Sequence, residues 1–106
     1  MKRSDRRLAQ RFNLSTPLYV RVWKSNTPEW KFDSVNLSES GVYFETDAPL
    51  DEGAEVQLRL DMPMEITGDA TAEWLCTGKI VRVQPVDSSG AAWGVGVRFD
   101  YYEVSG

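Results

Sequence analysis

Apolar and polar residues alternate with a period of two along most of this 106-residue chain. Leu18, Val20 and Val22 alternate with Tyr19, Arg21 and Trp23; Val56, Leu58 and Leu60 alternate with Glu55, Gln57, Arg59 and Asp61. Near the C-terminus, Trp93, Val95, Val97 and Phe99 alternate with Gly94, Gly96 and Arg98. Successive side chains of a strand point to opposite faces, so each run predicts a half-buried antiparallel strand with its apolar face inward. Further runs at 30–37, at 42–46 and across 71–84 predict more strands, the last long enough for one bent strand or two. Turn-forming clusters separate them: SNTPE, SESG, APLDEG, DMPM and DSSG. No helical period persists for ten residues in the body of the chain. Six or seven short strands in one small domain predict an all-β fold, a closed or nearly closed antiparallel barrel without unprotected edges.

Ahead of the first strand stands a polar arm, residues 1–16, so the expected division is arm 1–16 and barrel 17–106. Within the arm, SDRRLAQRF suits one helical turn with Ser4 as its N-cap and Arg7 and Arg11 on one face. So short a helix is marginal without a ligand or a docking surface, and a mobile arm is expected.

Charge sharpens that picture. Residues 1–11 hold Lys2, Arg3, Arg6, Arg7 and Arg11 against Asp5 alone, a net of +4. The whole chain has 12 basic and 16 acidic residues, so the remainder holds 7 and 15, a net of −8. This asymmetry points to a local anion site near the N-terminus, not to a broadly basic nucleic-acid surface. A solvated basic tail is the plain alternative.

Several classes of chemistry are hard to build from this composition. The chain has no histidine, the commonest general base and the commonest metal ligand. Its single cysteine, Cys76, forms no thiolate cluster for zinc and lies in a strand-like run, where a small core filler is expected. One cysteine also fits a reducing cytoplasm. The carboxylates are scattered over turns and the polar halves of strands, with no pair set apart for catalysis. No Walker A, G-x-S-x-G or helix-opening G-x-G-x-x-G is present. A non-enzymatic domain without metal or cofactor is the expectation. No apolar run reaches the roughly 18 residues of a membrane span, and no secretory signal opens the chain.

Two short motifs remain. Arg7-Leu8-Ala9-Gln10-Arg11 reads R-x-x-x-R, and Asn36-Leu37-Ser38-Glu39-Ser40-Gly41 reads [D/N]-x-S-x-x-G. In this order, before the first strand and at the second-to-third strand turn, they resemble the PilZ domain family. The stretches LYVRV, GVYFET, GAEVQLRL, GKIVRV and WGVGVRF are similar to that family's successive barrel strands, over about 95 residues in the size range of a single domain. The resemblance implies a bacterial, cytoplasmic receptor for the second messenger cyclic di-GMP.

Residue by residue, the implied contacts make physical sense. The ligand carries two phosphodiester anions and two guanines. Arginine's planar fork pairs with phosphate oxygens or with guanine O6 and N7, and its face stacks on a base. Arg7 and Arg11 are therefore the expected grip. Asn36 and Ser38 share a parity, so both side chains are expected to leave one strand face while Val35 and Leu37 take the other. An amide and a hydroxyl together offer the donors and acceptors that a guanine edge requires. The family more often carries aspartate where Asn36 stands. Gly41 is expected to allow a sharp turn and to let a base approach the backbone. Arg6, directly before the first motif, adds a guanidinium, and the family's occupancy by one ligand or by an intercalated pair turns on that position; a pair is expected here. Arg3 and Arg98 are accessory candidates. Trp23, Trp30, Trp74 and Trp93 are expected in the core or at barrel ends.

The implied mechanism is a switch without chemistry. Ligand phosphates neutralise the arm, the arm folds across the barrel near Asn36 and Ser38, and a partner protein or adjacent domain reads the new surface. The family often adds a C-terminal helix; a chain ending at YYEVSG leaves little or no room for one, and a monomer is the expectation. Two rivals stay open: a degenerate member kept as a protein-interaction module without ligand, and a small barrel for single-stranded nucleic acid, against which the −8 body speaks.

Overall fold

The computed structural model describes residues 11–24, 26, 28–48, 50–88 and 90–105. Six strands follow one another: β1 Pro17–Val22, β2 Trp30–Leu37, β3 Gly41–Thr46, β4 Glu55–Met62, β5 Ala72–Ser88 and β6 Ala91–Ser105. One short helix, α1 Met64–Thr67, lies between β4 and β5. All neighbours are antiparallel, and the sheet closes on itself in the order β1-β2-β3-β6-β5-β4. The all-β barrel expected from the alternation is therefore the fold, with six strands.

The alternation also locates the core. Leu18, Val20, Val56, Leu58, Val95 and Val97 are buried, and their polar neighbours along each strand face outward. Phe44 closes into this interior and stacks on half-buried Phe32, ring centroids 4.6 Å apart. Burial of such side chains, worth about 1.5–3 kcal/mol each, is the main force holding a barrel this small together. Cys76 takes the expected filler role: it is buried, and desolvation pushes its thiol from 9.0 up to about 12.

Three details depart from the sequence expectation. The run across 71–84 is one strand that continues to Ser88, and β6 continues past Phe99 to Ser105. DMPM, expected as a plain turn, leads into α1: Pro63, whose fixed φ of −66° suits a helix start, stands as its N-cap. Trp74 is buried, Trp30 packs against the core, and Trp23 and Trp93, 38% and 40% exposed, lie beside the ends of β1 and β3. Finally, residues 12–16, assigned to the arm, are stitched to β2. Phe12 exchanges backbone hydrogen bonds with Leu37 at 2.8 and 2.9 Å, and Thr16 N–H donates to Ser34 Oγ at 2.9 Å. The Ser34 hydroxyl in turn donates to the Leu14 carbonyl. The helical turn expected over the first residues lies outside the described ones.

Among the described residues, no helix is long and apolar enough to cross a membrane, and no three His, Cys, Asp or Glu are grouped to hold a metal.

Candidate functional site

Strict alternation breaks at several points of the barrel, and two of the breaks build the site. In β2 the register shifts between Ser34 and Asn36, and in β5 it shifts between Ile80 and Arg82. Each shift is a β-bulge that inserts one extra residue, Val35 or Val81, and reverses the facing of the residues beyond it. Ser34 and Leu37 are both buried, so Val35 and Asn36 between them face outward; Ile80 is buried, so Val81 and Arg82 face outward. The parity expected for β2 is corrected accordingly. Val35 is 43% exposed while Leu37 is fully buried, and they do not share a face.

Between the bulged strands lie β3 and β6. Pairing aligns Asn36 with Tyr43, Tyr43 with Gly96, and Gly96 with Arg82. One transverse row on the outer face thus reads Asn36, Tyr43, Gly96, Arg82, across four strands. Above this row is a cavity of about 630 Å³, whose rim includes Arg11, Asn36, Ser40, Arg82 and Arg98. Arg11 reaches it from the stitched end of the arm and donates from Nη1 to Asn36 Oδ1 at 2.8 Å. Arg98 lies two residues from Gly96 along β6 and uses its Nε to hold Asp100 at 3.3 Å. Among the described residues, no Asp or Glu lines the cavity. Three guanidiniums therefore converge on one hollow of a chain whose net charge is −4. Such a set of side chains is suited to an anion with flat or hydrogen-bonding groups.

Two expected contacts stand behind this surface. Ser38 is fully buried, and its hydroxyl serves the β2–β3 turn: it accepts from Ser40 N–H at 3.1 Å, lies 3.1 Å from Ser40 Oγ, and donates to the Gly41 carbonyl at 3.4 Å. Ser40, not Ser38, lines the cavity. Gly41 is a buried strand residue without positive φ, so the turn does not require it for that reason. Its need is steric: a Cβ there would collide with the Val97 carbonyl oxygen. The glycine lets β3 and β6 close tightly at the floor of the site. Arg3, Arg6 and Arg7 lie outside the described residues.

Sequence reasoning missed Tyr43, Arg82 and the role of Gly96. The two alternate glycines of β6 were the available signal, since glycine in a strand interior marks close approach of another group. At Gly94 that group is internal: a Cβ would run into the Tyr43 hydroxyl, so the tyrosine ring lies over this glycine.

Residues 5–105 match the family model described as PilZ domain. The chain belongs to the PilZ domain family. Solved structures agree at the level of the fold. The Bacillus subtilis inhibitor of motility MotI/DgrA superimposes with a TM-score of 0.69 at 14% identity, covering 99% of this chain and 45% of that one. The PilZ domain of YcgR from Escherichia coli, solved with c-di-GMP, gives 0.57 at 17% identity, covering 93% of this chain and 79% of that one. This chain thus spans less than half the length of the motility inhibitor. No curated protein matches the sequence.

Proposed function

We propose that this PilZ domain is a non-enzymatic receptor for cyclic di-GMP. The observation that carries the reading is the convergence of Arg11, Arg82 and Arg98 on one outer-face cavity that no described carboxylate lines. Two phosphodiesters and two guanines are the partners that such a set of cations, with Asn36 beside them, is equipped to hold. Family membership and the ligand-bound relative from Escherichia coli support the same ligand.

In this reading Arg11 and Asn36 are direct contacts, and Arg6 and Arg7 complete the grip from the arm. Arg98 borders the site as an accessory cation. Ser38 and Gly41 act through position: the first holds the turn that presents Ser40, and the second lets the two central strands close. Binding draws the rest of the arm, beyond the residues already stitched to β2, onto the barrel and so creates a surface for a partner protein or a neighbouring domain in the bacterial cytoplasm.

The test is isothermal titration of the domain with cyclic di-GMP beside GTP and a guanine-rich oligonucleotide. Saturable binding of the cyclic ligand, with neither control competing, supports the receptor. A stoichiometry near two ligands per chain assigns Arg6 to an intercalated pair, and a value near one removes that role. No heat at high ligand concentration leaves the barrel as a protein-interaction module.

A further inference from the structure

Glycine in the middle of a strand weakens it, because the residue loses more conformational freedom on folding and offers no side chain to pack. β6 carries two such glycines on its outer face, and the structure separates them. Gly94 is sterically required, since Tyr43 lies where its side chain would be. Gly96 is not: a Cβ there would meet only the Arg82 Cβ, at 3.7 Å, an ordinary contact, and its φ is not positive. Packing within the barrel therefore gives no reason for the missing side chain at Gly96. The position is the open middle of the row from Tyr43 to Arg82, beneath the cavity.

The slot has a defined width and two chemically distinct walls. Tyr43 and Arg82 are two strand spacings apart, so their backbones stand roughly 10 Å from each other with nothing but backbone between them. The tyrosine leans along β6 over Gly94 and leaves the space above Gly96 clear. On the other side the β5 bulge turns Arg82 outward, where it has no ion pair with a described carboxylate. A planar cation unengaged by acid, beside a floor with no side chain, is suited to receive the flat face of a heteroaromatic ring.

We infer that Gly96 and Arg82 form a base-stacking subsite on β5 and β6, in which one guanine lies over the glycine floor and the Arg82 guanidinium stacks on it. The inference rests on the cyclic di-GMP reading and adds to it two residues outside both sequence motifs. Arg11 and Asn36 then hold the near side of the ligand, and Arg82 holds a base on the far side. The role needs Arg82's plane as well as its charge, and at Gly96 it needs an absence of volume.

The experiment uses the whole chain and reads affinity and thermal stability together. Gly96→Ala and Gly96→Val are expected to keep or raise the melting temperature while weakening cyclic di-GMP, valine more than alanine. Arg82→Lys, which keeps the charge and loses the plane, is expected to weaken binding about ten-fold, the scale of one lost base stack. Arg82→Ala is expected to be no better than Arg82→Lys. Wild-type affinity in Gly96→Val overturns the floor, and near-wild-type affinity in Arg82→Lys beside weak binding in Arg82→Ala overturns the stack, making Arg82 a phosphate contact. If the unsubstituted chain itself fails to bind, the receptor reading fails first, a result distinct from a wild-type chain that binds and variants that bind equally well.

Discussion

Two faces of the barrel present arginine to solvent in opposite conditions. On the side built by β1, β4 and β5, Arg59 lies 3.4 Å from Glu29 and 3.7 Å from Glu73, with its guanidinium 4.2 Å above the Tyr19 ring. Its charge is matched, its plane is covered, and its position is determined by neighbours already in the chain. On the side built by β2, β3, β6 and β5, Arg11 has a neutral amide for a partner, and Arg82 has no ion pair with a described residue. The same side chain is a surface fixture in one place and an unfilled valence in the other. Arg98 on the same side is held by Asp100, so it is Arg11 and Arg82 that carry the contrast.

The comparison can be broken at several points. The largest effect is expected from Arg11→Ala, which should weaken cyclic di-GMP by roughly 2–3 kcal/mol, the scale of a lost charge-assisted hydrogen-bonded contact, with little change in the melting temperature. Calorimetry on the variant checks it, and an unchanged affinity would remove the arm from the site. Gly41→Ala should act on stability instead, because the new Cβ collides with the Val97 carbonyl; a loss of about 1–3 kcal/mol is expected in a denaturant titration. A stable Gly41→Ala variant that still loses its ligand would make Gly41 a direct contact.

The packed interior behind Arg59 offers a pH test. Cys76 ionises near 12 in the folded chain and near 9.0 unfolded, so only the unfolded state releases the proton between those values. Fewer protons bound in the unfolded state make stability fall as pH rises, by about 1.4 kcal/mol for each unit across that window. Alkaline unfolding curves of the native chain and Cys76→Ala should therefore differ in slope above pH 9 and run parallel below it. The smallest effect belongs to Arg59→Gln. Its ion pairs are exposed, so a stability change below about 1 kcal/mol and an unaltered ligand affinity are expected. A marked loss of binding in that variant would collapse the distinction between the faces.

Much of the barrel is visible in the sequence because its physics is local. Alternation assigns the buried faces of β1, β4 and β6 directly, and the turn clusters separate the strands. Arg11 and Asn36 are visible through motif spacing, and the structure brings them within hydrogen-bonding distance. Arg82 is hidden for a definite reason. Counting by twos from buried Ile80 puts it inside the barrel, and only the bulge at Val81, set by the register of its pairing with β6, turns it out. The same kind of slip at Val35 hides the separation of Val35 from Leu37. Ser38 reads as a contact because its hydroxyl is chemically suited to one; its full burial depends on how the turn folds back, which spacing does not encode.

The hydrogen bond between Arg11 and Asn36 has a consequence for the rate at which the site can take up an anion. Arg11 is latched to Asn36, and an anion that engages the guanidinium must win it from that amide. An aspartate in that place would add a full ionic attraction to the latch and would slow its release. Asparagine holds Arg11 through a hydrogen bond to a neutral oxygen and yields more readily to an anion that offers full charge as well. In the receptor proposed above, the weaker latch shortens the response to a changing ligand concentration.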